Sequence, residues 1–360
     1  IADIRFWEQK ASEGHYAIPH FNVWNAEMLM GVIDAAEELR APIIISFGTG
    51  FTGNTSFEDY CYMMESMAKK ATVPVILHWD HGRNWTILKN AVDHCMNSVM
   101  RDASALPFEE NIAEIKRCVD YFHAYNIPVE AELGHVGNET VYEEALAEYA
   151  YTDPSQAKEF VERTGCDSLA VAVGNVHGVY SAEPKIRFDI IEEVHKEVSV
   201  PLVLHGASGI GDEDIKKAIK CGIAKINIHT ELCQAAMEAI NEHKDEPFLA
   251  VERAVREAVK ERAMYKIKLF GGTVATAIRH RHLHHVLAAF LHMFRVELAH
   301  QVTADGIGLS KQGILPVNRT PIGIDAGFLV LGLEDDFSRS PHWAWFTGVI
   351  TGGTVSTATV

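Results

Sequence analysis

The sequence is short of the features that mark membrane, secreted and nucleic-acid-binding proteins. No apolar run approaches the roughly 20 residues that a helix needs to span a bilayer, and the N-terminus lacks the charged-then-apolar pattern of a signal peptide. Cysteine is scarce, with six in 360 residues and no C-x-x-C pair, which favours reduced thiols over a disulfide framework. The net charge of −17 argues against a nucleic acid or an acidic membrane as partner. We therefore expect a cytoplasmic globular protein.

What the sequence does have is a regular alternation of apolar strands and amphipathic helices, with 48% hydrophobic residues for a large core. Eight predicted strands are Tyr16–Val23, Pro42–Phe47, Val73–Leu77, Ser98–Asp102, Pro128–Leu133, Asp167–Val173, Pro201–Leu204 and Ala224–Ile228. The helices predicted after them are Asn25–Leu39, Phe57–Ala71, Asn84–Cys95, Phe108–Tyr125, Pro154–Thr164, Phe188–Val198, Gly211–Lys220 and Thr230–His243. Eight such units favour a closed (β/α)8 TIM barrel over a doubly wound sheet. Two more predicted helices, Pro247–Lys260 and Arg262–Leu269, would pack outside it.

Histidines recur where the predicted strands end. The stretch Leu77–Gly82 reads L-H-W-D-H-G after the third strand, and two further histidines follow the sixth and seventh strands. The three are His81, His177 and His205. Strand ends of an α/β barrel meet at one face, so three neutral imidazoles there predict a catalytic zinc site, with an uncomplexed polar cluster as the alternative. His78, three residues before His81, is interpreted as structural.

Acidic residues at the same strand ends form a second layer. Asp80 is a candidate general acid/base, with a partner of a ligating histidine as the alternative. Glu130 and Glu132 share one face of the fifth strand and Asp102 ends the fourth, so one or two of them are expected near the metal. The insertion Gly134–Thr152 is long for such a scaffold and is a candidate lid.

Small residues after the last two strands predict a phosphate site. His205 leads into H-G-A-S-G-I-G, and the eighth strand ends at Asn227-Ile228-His229-Thr230, where a helix begins. Backbone N–H groups of such loops, together with a helix N-terminus, bind anions in many barrels. An ordinary tight turn is the alternative for G-A-S-G.

Six motifs, in unbroken order over roughly residues 3 to 270, resemble those of the class II, metal-dependent ketose-bisphosphate aldolases, most closely the tagatose-bisphosphate branch. They are H-W-D-H-G, R-D-A-S-A-L-P-F-E-E-N, V-E-A-E-L-G, C-D-S-L-A-V-A-V-G-N-V-H-G, P-L-V-L-H-G-A-S-G and K-I-N-I-H-T-E-L. The resemblance implies a cytoplasmic zinc enzyme, a dimer or tetramer, that cleaves a tagatose or fructose 1,6-bisphosphate reversibly to dihydroxyacetone phosphate and glyceraldehyde 3-phosphate. A monovalent cation is a further candidate cofactor.

The resemblance also implies roles for single residues. Zinc ligands match His81, His177 and His205, the acid/base matches Asp80, and acids near the metal match Asp102 and Glu132. Positions that hold the ketose phosphate match Gly178, Gly206, Ser208, Asn227 and Thr230. In relatives the acid that protonates carbon lies in a lid motif L-G-G-x-E-D. This chain reads V-G-N-E-T there, so Glu139 is the candidate.

This chain departs from the family pattern at three places. Many relatives read D-G-S-H where this chain has Asp102-Ala103-Ser104-Ala105, and many carry a lysine where it has Ser181. His229 occupies a substrate-side position that is Asp or Ala in different relatives. Other classes consistent with the same residues are a metal-dependent sugar-phosphate isomerase or epimerase and a non-catalytic aldolase-like subunit.

The last 90 residues differ in composition from the rest. Residues 271–360 contain no cysteine, are rich in Gly and Thr near the end, and lie beyond the point where family members normally stop. We predict a barrel over 1–270 and a separate C-terminal extension over 271–360, with a helix over Ala277–Val302.

Overall fold

Eight parallel strands close into a barrel in the computed structural model, which describes residues 1–51, 53, 55–136, 151–178, 180, 183–272, 347–351 and 354–358. Neighbours follow chain order from β1 to β8, and β8 pairs with β1. The strands are β1 Ile18–Asn22, β2 Ile43–Gly48, β3 Val75–Asp80, β4 Ser98–Met100, β5 Val129–Leu133, β6 Ser168–Val171, β7 Leu202–Leu204 and β8 Ile223–Ile228. The predicted TIM-barrel fold is confirmed.

Helices surround the barrel. In chain order they are α1 Ile4–Gly14, α2 Ala26–Leu39, α3 Phe57–Lys70, α4 Trp85–Lys89, α5 Phe108–His123, α6 Pro154–Thr164, α7 Phe188–Glu197, α8 Asp212–Cys221, α9 Thr230–His243 and α10 Phe248–Leu269. α10 replaces two predicted helices because Glu261, the residue between them, is a good helix former. The predicted helix Asn84–Cys95 is instead the short α4 followed by a 3₁₀ turn, Asn90–Asp93.

The third strand is longer than predicted, and this changes the setting of the motif that follows it. β3 pairs with β2 as far as Gly48 opposite Asp80, so His78 and Asp80 belong to the strand rather than to the turn beyond it. Since side chains alternate along a strand, His78 and Asp80 face the barrel interior together. Trp79 faces outward and packs against Phe47 and Phe57 in the layer beneath the helices.

The floor of the barrel is closed by α1, an element that the sequence interpretation missed. Asp3 caps this helix by accepting a hydrogen bond from the Arg5 backbone N–H. A separate apolar cluster joins α1 to the inner residues at the start of four strands: Ile4, Ala11, Tyr16, Ile18, Ile44, Ile76 and Ala224. Above this cluster the interior is polar, which is unusual for the core of a barrel.

The chain divides into two units, Ile1–Phe294 and Arg295–Val360. In the second unit, the described strands β9 Thr347–Thr351 and β10 Thr354–Ala358 form an antiparallel pair. The helix predicted over 277–302 lies outside the described residues, and the boundary at residue 270 stays a prediction. No helix in the described part of the chain is long and apolar enough to cross a membrane.

Glu8 of α1 gives a test of the buried floor. Its side chain is buried, and burial raises its pKa to about 8, with Lys225 opposing the shift. The pKa of Glu8 in the folded protein exceeds its value of 4.5 in the unfolded chain. Its contribution to the free energy of unfolding is therefore fully present below about pH 4.5 and is lost as the pH rises through 8. We predict that Glu8→Gln matches the wild type near pH 5 but is more stable at pH 8.5, by on the order of a few kcal/mol. Urea unfolding at both pH values measures the difference, and parallel pH profiles would contradict the prediction.

Candidate active site

Three imidazoles meet at the carboxyl end of the barrel. His81 Nε2 lies 3.2 Å from His177 Nε2 and 3.1 Å from His205 Nδ1. Nitrogens bound to one tetrahedral zinc at about 2.0–2.1 Å are separated by roughly 3.3 Å, so the spacing suits a shared metal. The three side chains predicted from different strand ends are therefore brought together, and their donor chemistry fits a divalent ion such as zinc.

A tight turn directly after β3 points the His81 ring at the centre of the mouth. His81 adopts a left-handed backbone with φ of 47°, and the next N–H, from Gly82, bonds to Met100 O at 2.9 Å. A Cβ on Gly82 would lie 2.7 Å from that same carbonyl oxygen, so the turn requires glycine. Arg101 holds the turn from below through its bond to Gly82 O at 2.9 Å.

The loops after β6 and β7 hold each other in place. Asn175 donates to His205 O at 2.9 Å, and the Tyr180 hydroxyl donates to Gly206 O at 2.9 Å. Gly206 has a positive φ of 59°, and a Cβ there would lie 2.2 Å from Val176 O. The two loops therefore approach each other as closely as backbones can, and this fixes the relative positions of His177 and His205.

Two of the three histidines use their second nitrogen to contact a carboxylate. His81 Nδ1 lies 3.0 Å from Asp102 Oδ2, and His205 Nε2 lies 2.8 Å from Glu130 Oε1. A carboxylate accepts a hydrogen there, which leaves the lone pair of the other nitrogen free to face a metal. The arrangement is typical of metal-ligating histidines.

Glu130 is in turn paired with a buried lysine. Lys225 Nζ donates to Glu130 Oε2 at 2.7 Å, and both side chains are almost wholly buried. Burial would raise the pKa of Glu130, but Lys225 and the neighbouring His205 lower it. The Glu130 carboxylate is therefore ionised, and it accepts a hydrogen bond from His205 Nε2.

Asp80 lies beside this cluster on the inner face of β3. Burial would raise the pKa of its carboxyl group, yet the neighbouring His81 lowers it well below its usual range. Asn22 Nδ2 donates to its Oδ2 at 2.8 Å. An ionised carboxylate next to the three histidines is suited to act as a general base.

The acids Asp102 and Glu132, predicted near the metal, lie one step behind the histidine nitrogens. Asp102 also accepts a bond from Arg83 Nε at 2.9 Å, while Glu132 Oε1 accepts one from the Val136 backbone N–H at 2.8 Å. The two acids form a group with His81 whose ligand atoms all lie within 4.8 Å of one another. Burial, reinforced by the charge of Asp102, raises the pKa of Glu132 to about 8.

A cavity of about 370 Å³ adjoins the loops after β6, β7 and β8. Gly178, Ser208 and Thr230, all predicted to hold the phosphate, line it, as do the carboxylates of Glu183 and Asp214. No lysine or arginine among the described residues lines the cavity, so the donors for an anion are backbone N–H groups, the hydroxyls of Ser208 and Thr230, and the side-chain amide of Gln234.

Gly206 and Asn227, the other predicted phosphate residues, have different contacts. Gly206 sits in the close approach of the two loops described above. Asn227 Nδ2 lies 3.3 Å from His205 Nδ1 and 3.5 Å from Asp80 Oδ1, between the base and the histidines. Asn227 therefore faces the reacting end of the site rather than the cavity.

Both ends of the predicted lid are anchored, although its centre lies outside the described residues. Thr152 Oγ1 donates to Leu133 O and accepts from the Ala172 N–H at 2.8 Å, which joins the end of β5 to the start of α6. Glu139, the candidate lid acid, and Ser181 lie outside the described residues.

Several polar residues of this site were missed from the sequence. They are His20, Asn22, Ser46, Arg83, Arg101 and Lys225. His20 and Asn22 alternate on β1, and Lys225 alternates with Asn227 on β8. Polar residues at every second position of an apolar strand were the signal that could have identified them.

Comparison with known proteins relates the chain to aldolases. A family model for class II fructose-bisphosphate aldolase matches residues 3–274. The protein YdjI of Escherichia coli K12 is 72% identical over 271 residues, which are 75% of this chain and 98% of that relative.

Solved structures agree with the sequence match. The crystal structure of the E. coli YdjI aldolase has a TM-score of 0.70 and 66% identity, covering 76% of this chain and 98% of that one. The fructose-bisphosphate aldolase of Campylobacter jejuni has a TM-score of 0.62 over 75% of this chain and 94% of its own, and its 24% identity shows a shared fold.

Two acids of β5 allow a matched test of the metal environment. Glu130→Gln removes the charge that holds His205, whereas Glu132→Gln changes an acid that accepts from the Val136 backbone N–H and lies 3.8 Å from His135, which is not one of the three converging histidines. We predict that Glu130→Gln weakens zinc binding by roughly 10- to 100-fold, and that Glu132→Gln weakens it less. Competition with a chromogenic chelator measures both affinities. A larger loss for Glu132→Gln would instead support direct ligation by Glu132.

Proposed function

The chain belongs to the class II fructose-bisphosphate aldolase family, whose members are carbon–carbon lyases, and we propose that it is a metal-dependent aldolase acting on a phosphorylated ketose. The substrate class that we propose is a ketose 1,6-bisphosphate of the tagatose or fructose type. The products are dihydroxyacetone phosphate and glyceraldehyde 3-phosphate. A cytoplasmic homo-oligomer, either dimer or tetramer, stays a prediction, as do a monovalent cation and the lack of nucleic-acid and membrane partners.

One observation carries the proposal more than any other. Three histidines from distant parts of the chain converge directly beside the ionised Asp80. His177 Nε2 lies 3.2 Å and His205 Nδ1 lies 3.1 Å from His81 Nε2. An aldol cleavage requires both a base for a hydroxyl proton and a stabilised negative charge on the adjacent carbonyl fragment. The cluster offers both within one small volume.

The residues act on the ketose in the following way. The phosphate at C1 binds among the N–H groups and hydroxyls of the cavity lined by Gly178, Ser208 and Thr230. Asp80 takes the proton of the C4 hydroxyl, the electrons of that O–H bond form the new aldehyde, and the C3–C4 pair remains on the dihydroxyacetone phosphate fragment. Asn227, between Asp80 and His205, is placed to donate to a substrate oxygen. Glu139 is the proposed acid that then protonates C3.

His81, His177 and His205 would hold a zinc ion, which would supply Lewis-acid stabilisation of the negative charge that develops on the carbonyl oxygen. Asp102 and Glu130 orient two of these ligands through their second nitrogens. Such indirect partners raise ligand basicity and fix the ring tautomer.

An isomerase or epimerase could use the same histidines and Asp80, and the products separate the two reactions. We predict that the zinc-loaded protein releases triose phosphates from tagatose or fructose 1,6-bisphosphate, that EDTA abolishes the release, and that added zinc restores it. A coupled assay for dihydroxyacetone phosphate with each sugar measures the rates. Conversion to another ketose phosphate without triose would favour an isomerase, and cleavage that survives EDTA would refute the metal dependence.

Asp80→Ala tests the role of the base separately from metal binding. The second nitrogens of His81 and His205 contact Asp102 and Glu130 rather than Asp80, so we predict retained zinc and a kcat lower by roughly 10²- to 10⁴-fold. Asp120→Ala, which removes an exposed carboxylate from α5, serves as the control. Wild-type cleavage by Asp80→Ala would show that another group is the base. Loss of zinc along with turnover would show that Asp80 is part of the metal site.

A further inference from the structure

A chain of hydrogen bonds runs through the barrel interior to Asp80 from a histidine two strands away. His20 Nε2 contacts Ser46 Oγ, Ser46 Oγ donates to Asn22 Oδ1, and Asn22 Nδ2 donates to Asp80 Oδ2 at 2.8 Å. The four residues come from β1, β2 and β3, and each is at least nine-tenths buried. Water is thus a poor competitor for these bonds.

The bond between Asn22 and Asp80 sets the direction of every bond in this series. Asn22 turns its NH₂ group toward Asp80 Oδ2, so its carbonyl oxygen faces Ser46 and can only accept. The single hydroxyl proton of Ser46 then points at Asn22, which leaves the Ser46 oxygen to accept from His20. His20 must therefore carry its proton on Nε2.

A neutral His20 ring satisfies this requirement. Burial lowers its pKa well below the usual range, and the buried Lys225 acts in the same direction, whereas Asp80 and Glu130 oppose the shift. A neutral imidazole has one N–H, here on Nε2, and its Nδ1 is a buried acceptor for which the described residues supply no partner. The ring proton of His20 thus has one position, on Nε2, and the hydrogen bonds from His20 to Asp80 all run in one direction.

The chain distinguishes the two oxygens of Asp80. Oδ2 is held by Asn22, while Oδ1 lies 3.5 Å from Asn227 Nδ2, on the side that faces His205. A long contact of this kind is easily replaced by a substrate hydroxyl, whereas the shorter bond to Asn22 is not.

We propose that His20 is a positioning residue for the reaction: through Ser46 and Asn22 it holds Oδ2 of Asp80, so that Oδ1 is the oxygen that takes the substrate proton. This inference rests on the proposed aldolase function and adds to it a residue that never touches the substrate. A side chain that only fills space at His20 would leave Ser46 free to rotate and Asn22 free to flip. The base would then be present but misaligned.

Three variants test the proposal. His20→Leu keeps an apolar side chain of similar size but removes the donor, and we expect kcat to fall roughly 10- to 100-fold, as for a small misplacement of a catalytic group. KM and zinc affinity should stay within about 3-fold because neither the cavity nor the histidine nitrogens change. His20→Gln offers an N–H near the position of imidazole Nε2 and should recover most of kcat. Ser46→Ala breaks the chain at its next link and should lower kcat as His20→Leu does.

A matched control separates positioning from general damage to the core. His78 is also fully buried, packs against His20 with ring centroids 5.2 Å apart, and bonds to Ser98 rather than to the chain. His78→Leu should therefore change kcat by less than about 3-fold. The double variant His20→Leu/Ser46→Ala should lose no more than either single variant, since both break the same connection.

Failure of the proposed aldolase function would give a different result from failure of this inference, because the wild-type protein itself would then release no triose phosphate. Equal kcat losses in His20→Leu, His20→Gln and His78→Leu would overturn the inference, as would additive losses in the double variant. If His20→Leu does not fold, Ser46→Ala decides the question, because it removes one hydroxyl only. A wild-type kcat in Ser46→Ala would refute the role of the hydrogen bonds from His20 to Asp80.

Discussion

The ion pair between Lys225 and Glu130 is the interaction on which the polar interior of the barrel depends. Glu130 sets the tautomer of His205, and without the lysine it would be an uncompensated buried charge, a situation that costs about 3–5 kcal/mol in other proteins. The positive charge of Lys225 also lowers the pKa of His20 and of His78, in addition to the larger effect of burial. Burial thus keeps the His20 and His78 rings neutral with help from Lys225, while Glu130 orients the ring of His205.

The fold and the centre of the site follow from local patterns. Alternating strands and helices predicted the barrel, and three strand ends predicted the meeting of His81, His177 and His205, because parallel strands deliver their carboxyl ends to one face. α1 was missed because it precedes the first strand and so lies outside the alternation of strand and helix that predicted the other elements. The true end of β3 was missed because the turn depends on the left-handed backbone of His81.

The partners inside the barrel were harder to predict. Lys225 looked like a polar residue on an otherwise apolar strand, and nothing local indicates that it meets Glu130, which is 95 residues away in sequence. The direction of the hydrogen bonds from His20 to Asp80 likewise emerges only when the orientation of the Asn22 amide and the single hydroxyl proton of Ser46 are considered together. Contacts between distant strands are a property of barrel closure, which no single segment encodes.

The apolar cluster around α1 has a consequence for the polar groups above it. His20, Glu130 and Lys225 lie in the interior of the barrel, where each side chain is almost wholly buried. Bulk water therefore competes poorly for their hydrogen bonds, which are stronger in such an environment than at the surface. The order of these bonds is thus set by the protein itself before a substrate arrives.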